Sequence, residues 1–256
     1  MATMQSFSPH SLADRALIEL RGDGILAFLH NILTCNVENL IQGEIAYGAL
    51  LSPQGKILHD MFVHHAGQAV LIDCAKEGRD DLIVKLKLYR LRAKFEITTR
   101  DELEVVVGAG TAYDPRLKSL GFRGVFAQGR YSMGAAYDDA RYHLGIADSS
   151  EIGSGKLFPH EANFDQFAGV DFNKGCYIGQ EVVSRMQHRG TARSRILPVV
   201  FENDQPTDEI RAGNTLVGEV LGRRGKAALA LVRLDRLAEV GATPGITITQ
   251  PDWMKI

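Results

Sequence analysis

From residue 14 onward the apolar positions fall into short alternating runs broken by glycine, and this pattern predicts strands. In SLADRALIELRG, residues 11–22, Ala16, Ile18 and Leu20 alternate with Leu17 and Glu19, and Gly22 ends the run. Helical spacing then takes over. Ile25, Leu26, Leu29, Ile32 and Leu33 share one face of a predicted helix that reaches Cys35, with Asp23 placed to cap it. EIAYGALLSPQGKILHDMFVHH reads as a hairpin turning at Ser52-Pro53-Gln54-Gly55. AVLIDC is a further strand. RDDLIVKLKLYRL is a helix with acids in its first turn, and KFEITTR and LEVVVGAG are strands again. Residues 11–110 therefore predict an α+β unit with a largely antiparallel sheet.

The pattern then loosens. GFRGVFAQ is predicted extended and AAYDDARYHLGI helical, whereas EIGSGKLFPHEANFDQFAGV is irregular. Irregular segments of that length inside compact domains commonly carry function. After residue 190, RILPVVFE, GNTLVGEVLG, KAALALVRL and GITITQ are closely spaced short strands with glycine turns, as in a small β-barrel or sandwich. The expected units are 1–110, 111–191 and 192–256.

Charge and composition narrow the function classes. The 256 residues carry a net charge of -2, so any basic surface must be local, and neither nucleic acid nor membrane is expected as a partner. The three cysteines, Cys35, Cys74 and Cys176, form no C-x-x-C pair, which argues against a disulfide framework and a self-contained metal site. No apolar run approaches the roughly 18–20 residues that span a bilayer. The start, MATMQSFSPH, has no secretory pattern, and a cytoplasmic protein is the plain expectation, or a mitochondrial matrix protein in a eukaryote.

The candidate chemistry centres on DFNKGCYIGQEVVSRMQHRG, residues 171–190. Ile178, Val182, Val183 and Met186 predict a helix with one buried face, which puts Cys176 at or beside its N-terminus, where free amides favour a thiolate. Lys174 adds positive charge. A cysteine so placed can act as nucleophile, soft metal ligand or redox group, or simply pack as a small buried residue. Lys174, Arg185, Arg189, Arg193 and Arg195 outweigh Glu181 by four charges. That is either a site for an anionic tail or a solvated basic face beside the acidic ENDQPTDE. Alternation puts Asp60 on an apolar strand face with Leu58 and Phe62, which is costly unless the carboxyl is paired or used. Glu161 is a second acid, in a Pro-fixed loop. Cys35 and Cys74 read as core.

KGCYIGQE, residues 174–181, resembles the K-G-C-[FY]-x-G-Q-E signature of the YgfZ family of folate-binding proteins, which includes related mitochondrial iron–sulfur assembly factors. YDPRLKSLGFR (113–123), LLSPQGKILHDMFV (50–63) and the stretch from PHEANFD onward also resemble that family, so the similarity runs from about residue 14 to about 234. The resemblance implies an α+β, T-protein (aminomethyltransferase)-like folate-binding fold, with mostly antiparallel sheets in the N-terminal part and a small C-terminal β-barrel. It implies tetrahydrofolate or a one-carbon derivative as cofactor, with Asp60, Glu161, Arg185 and Tyr177 as binding residues. Lys174, Gly175, Cys176, Tyr177, Gly179, Gln180 and Glu181 form the motif, Cys176 is the key thiol, and no metal ligand set is expected. The implied role is support of iron–sulfur cluster assembly or repair, by a monomer working with a carrier or client protein. The alternative is a folate-dependent aminomethyl or one-carbon transferase. T-proteins typically carry two adjacent acids in the hairpin, where this chain has His59-Asp60, and no cysteine matching Cys176.

Overall fold

The computed structural model describes residues 7–91, 93–190, 192–203, 207–240 and 245–255. The start of the chain and part of the acidic 202–209 stretch lie outside the described residues. Strand β1 (His10–Ser11) precedes β2 (Arg15–Gly22) and helix α1 (Ile25–Ile32). The hairpin β3 (Ile45–Leu51) and β4 (Ile57–Ala66) continues into β5 (Ala69–Ala75), helix α2 (Arg79–Arg90) and β6 (Phe95–Thr99). Next come β7 (Leu103–Tyr113), β8 (Phe122–Ala127), α3 (Ala136–Leu144) and the single turn α4 (Ser149–Ile152). A long segment without regular structure leads to α5 (Gln180–Arg189). The chain closes with β9 (Ser194–Phe201), β10 (Glu209–Ala212), β11 (Thr215–Arg224), β12 (Ala227–Arg233), α6 (Leu237–Val240) and β13 (Ile246–Ile248).

These strands form three sheets with the orders β3-β4-β5-β2-β6, β1-β7-β8 and β10-β11-β12-β9-β13, and every ladder is antiparallel. Strand β2 shows why they stack. Ile18 and Leu20 face a core with Leu29 of α1 and Leu82 of α2, while Leu17 faces a second core with Val105, Leu120 and Tyr137. Burial on both faces makes the strand read as a nearly continuous apolar run. A third core joins the hairpin residues Tyr47, Leu51 and Phe62 to Phe164, Val183, Ile196 and Leu229. The last sheet also has its own core around Leu197, Val217 and Ala230. Gly222 sits at a bulge in β11, where a Cβ would strike the Tyr142 hydroxyl, so its bareness lets α3 and α4 lie close against this sheet. The tail folds back, packing Trp253 tilted against Phe167 at 4.5 Å between ring centres and donating its indole N–H to the Leu144 carbonyl at 2.8 Å.

Two expectations need correction. Asp23 does not cap α1; the cap position is Gly24, at φ 74°. Helix α1 stops at Ile32, so Cys35 is buried in the segment beyond it. Strand β10, which no extended alternation marks in the sequence, is a four-residue strand with one buried side chain, Ile210.

The β3–β4 turn docks directly on the start of α5. Gly179 precedes α5 at φ +80°, and a Cβ there would lie 2.6 Å from the Ser52 carbonyl oxygen. Gly55 reciprocates, since its Cβ would lie 2.9 Å from Val182 Cβ. Gly179→Ala is therefore expected to destabilise the fold by about 1–3 kcal/mol, from left-handed backbone strain and the clash, read as a lower urea midpoint at unchanged m-value.

Candidate functional site

A cavity of about 720 Å³ opens between β4, the turn joining β5 to α2, and α4, within the range of about 300–1,000 Å³ typical of small-molecule sites. Its floor carries Asp60. Asp60 lies opposite Ala49 in the β3–β4 ladder, and Tyr47, two residues along β3, reaches back to donate its hydroxyl to Asp60 Oδ2 at 3.3 Å. Across the cavity, Asp148 and Glu151 form a reciprocal capping box that starts α4, and this presents Ser149. The Ser149 hydroxyl donates to Asp60 Oδ1 at 2.6 Å and accepts from Arg15 Nη1 at 3.1 Å. Burial, with the Asp148 carboxylate adding to it, pushes the Asp60 carboxyl above its ordinary value against the pull of Arg15. Asp14 at the rim shifts the same way, again chiefly through burial. His59 also lines the cavity, and its Nε2 lies 2.7 Å from Asp81 Oδ2.

Beneath the cavity lies a buried ionic network that the sequence reading did not foresee. Asp73 Oδ1 accepts from Arg15 Nε at 2.7 Å, and Asp73 Oδ2 accepts from Arg123 Nε at 2.8 Å. Arg116 pairs with Asp114 at 2.9 Å, and its Nη1 lies 3.7 Å from Asp148. Arg141 pairs with Glu151 at 2.7 Å. Arg15, Arg116, Arg123 and Arg141 thus face Asp73, Asp114, Asp148 and Glu151, four charges against four. Asp60 is the fifth acid, and burial beside Asp148 shifts it towards the protonated form. The guanidiniums of Arg123 and Arg116 stack over the Phe62 ring at 3.8 and 4.7 Å, so aromatic faces stand where water would otherwise solvate them. The signal in sequence was present but ambiguous: arginine and aspartate at alternate strand positions, as in Arg15 and Asp73, read equally well as solvent-facing.

The motif residues are placed differently from expectation. Cys176 is exposed while Cys35 and Cys74 are buried, but it lies four residues before Gln180, so it is not at the α5 N-terminus. The reason is Gly179, which adopts the capping conformation and delays the helix. Lys174 turns away from Cys176 into the protein. Its ammonium bonds the carbonyls of His30, Leu33 (2.7 Å) and Cys35 (2.9 Å), closing the C-terminal end of α1, and burial lowers its pKa. The Tyr177 ring packs in the central core, and its buried hydroxyl has no hydrogen-bond partner among the described residues. Gln180 folds back to donate to the Gly175 carbonyl at 3.3 Å. Arg185 is exposed and pairs with Glu181 at 2.6 Å, four residues back on the helix. Glu161 accepts from the Phe158 amide at 2.8 Å and stabilises its own turn. Neither Glu161, Arg185 nor Tyr177 lines the Asp60 cavity. The five-cation cluster also disperses, since Lys174 is internal and Arg195 is buried against Asp165 at 2.7 Å.

Residues 193–256 match the family model described as CAF17, C-terminal beta-barrel domain. The crystal structure of glycine cleavage system aminomethyltransferase T from Bartonella henselae matches 89% of this chain and 78% of its own, with a TM-score of 0.69 at 14% identity. The fold is that of the glycine cleavage T-protein. The mitochondrial iron-sulfur cluster assembly factor IBA57 homologue of Neurospora crassa is 31% identical over 242 residues, which is 78% of this chain and 55% of that protein. The counterpart from Chaetomium globosum is 31% identical over 262 residues, 82% and 59% respectively. Human IBA57 is 28% identical over 300 residues, 94% and 84% respectively. The homologues of this chain are iron–sulfur cluster assembly factors. The chain spans a little over half the length of these fungal relatives.

The network sets the response to acid. Pairing with Arg123 and Arg15 outweighs burial and holds Asp73 far below the ordinary 3.8, and Arg15 and Arg116 likewise bring Asp148 down to about 2. Depressed carboxyls stabilise the fold above their unfolded value, and that stability is lost as pH falls through the folded one. The urea midpoint is therefore expected to drop between about pH 4 and pH 2. Asp73→Asn, which leaves two buried guanidiniums short of a charge, is expected to remove about 3–5 kcal/mol at neutral pH.

Proposed function

We propose that this chain is a YgfZ-type protein that supports assembly or repair of iron–sulfur clusters in client proteins. It presents Cys176 to a carrier or client and holds a reduced folate in the Asp60 cavity. The observation that carries the reading is the state of Cys176: the only exposed thiol of three, on a loop anchored by Lys174 on one side and by the Gly179–Ser52 contact on the other. The homologues' role in cluster assembly supports it, and mitochondrial relatives support an organellar location if the source is eukaryotic. Clusters typically take four ligands, and among the described residues no group of three or more His, Cys, Asp or Glu is arranged to hold a metal. Cys176 therefore supplies one thiolate to a cluster whose other ligands come from the partner.

The cavity suits the ring of a folate through its donors and acceptors. The Asp60 carboxyl, kept neutral more readily than usual, is fixed by Tyr47 and Ser149, while Asp14, Lys76, Glu77 and Ser150 add polar groups beside the apolar Leu58 and Ile152. Asp60 and Asp14 orient the ligand's nitrogen edge, and the walls exclude water. The transferase alternative draws on fold alone, and His59 at the place of a second acid supplies nothing further for it.

Calorimetry with tetrahydrofolate checks the cavity. Wild type should bind, Asp60→Ala should bind about five- to a hundredfold more weakly, as loss of a buried hydrogen bond predicts, and Glu161→Ala and Cys176→Ala should bind as wild type. Absence of wild-type binding removes the folate half of the proposal. In cells lacking the endogenous protein, Cys176→Ala should fail to restore iron–sulfur enzyme activities at normal protein level. Full restoration would remove the thiol half.

A further inference from the structure

Helix α2 is apolar on two opposite faces. Leu82 and Leu86 are buried in the core, yet Val84, Leu88 and, just past the helix end, Leu91 are 64%, 67% and 87% exposed. Val84 and Leu88, four apart, lie on one outward stripe, and Leu91, at φ 52° just past the helix, adds a further exposed apolar side chain beside its end. From Leu82 to Phe95 the sequence carries Lys85, Lys87, Arg90, Arg92 and Lys94 and no acid. The helix is therefore polarised, with Asp80 and Asp81 in its first turn and only cations towards its far end. Asp81 is already engaged by His59 and by Lys85 at 3.6 Å. Where the stripe ends, an open cleft of about 610 Å³ is lined by Arg21, Arg90 and Lys94, with Phe95 and a single acid, Glu96. Arg90 gives one Nη1 hydrogen bond to the Phe95 carbonyl at 2.8 Å, and its buried Nε has no hydrogen-bond partner among the described residues.

We propose that this face of α2, with the cationic cleft at its end, is a docking surface for an anionic phospholipid membrane. An exposed aliphatic stripe flanked by lysines and arginines matches the boundary between acyl chains and phosphate head groups. Leu88 and Leu91 enter the acyl boundary, Lys87 and Lys94 stay at the phosphates, and the cleft takes one head group. The stripe is a convex ridge on a helix whose other face is committed to the core. Such a ridge offers no groove to a partner helix, and the cations that flank it match a surface of phosphate head groups. The net charge of -2 averages this local basic end away, which is why the sequence reading expected no membrane contact.

Co-sedimentation of the full chain with vesicles of phosphatidylcholine alone, or mixed with phosphatidylserine, tests the proposal. Binding to the mixed vesicles should exceed binding to neutral ones by at least about tenfold and weaken with added salt. Leu88→Glu and Lys94→Glu should each weaken it by about fivefold or more, with thermal midpoints unchanged. Met133→Glu, exposed in the loop before α3, should bind as wild type. Equal sedimentation with both vesicle types, or wild-type binding by the α2 variants, overturns the proposal. Binding of soluble polyglutamate through α2 without vesicle binding also overturns it and assigns the face to an acidic protein.

Discussion

The pairing of Asp73 with Arg15 and Arg123 is the constraint on which the rest of the structure depends. Asp73 lies on β5 of the five-stranded sheet, Arg15 on its neighbour β2, and Arg123 on β8 of the three-stranded sheet. One carboxylate thus ties two sheets together in a region from which water is excluded. Its partners hand the tie onward, Arg15 to Asp148 and Ser149 at the start of α4. Buried charges of this kind contribute little net stability compared with apolar packing, but a missing partner is costly, so the arrangement selects one register of sheets and rejects others. The cavity inherits that definition, because the Ser149 hydroxyl that reaches Asp60 also accepts from Arg15.

The KGCYIGQE segment follows a different logic. It is held by backbone and by small residues more than by charge. Lys174 spends its ammonium on the carbonyls of His30 in α1 and of Leu33 and Cys35 just beyond it, and Gly179 gives up a side chain so that the β3–β4 turn can approach. Between these two anchors sits Cys176. The conspicuous residues of the motif are thus mostly fasteners, and the thiol is the part that they leave free.

Much of the fold was legible because its strands alternate or run apolar between glycines. The β3–β4 hairpin, β5, α2 and the closely spaced strands after residue 190 all follow from period and turn chemistry. The site was less legible. Asp60 stood out because a carboxylate on an apolar face has to be explained. Glu161 and Arg185 did not differ in pattern from functional residues, yet each satisfies a neighbour, a turn amide in one case and a helix acid in the other. The ionic network was invisible for a related reason. Arg15, Asp73, Asp114 and Arg123 are spread over more than a hundred positions, and only strand pairing together with the stacking of the sheets makes them neighbours.

Trp253, held against Phe167 and bonded to the end of α3, is the only tryptophan of the chain. Its fluorescence is therefore a built-in gauge of one junction. The emission reports whether the tail remains seated on the middle of the molecule. A shift to the red on titration with denaturant or ligand would mark release of that tail even where the strands, followed by circular dichroism, stay paired.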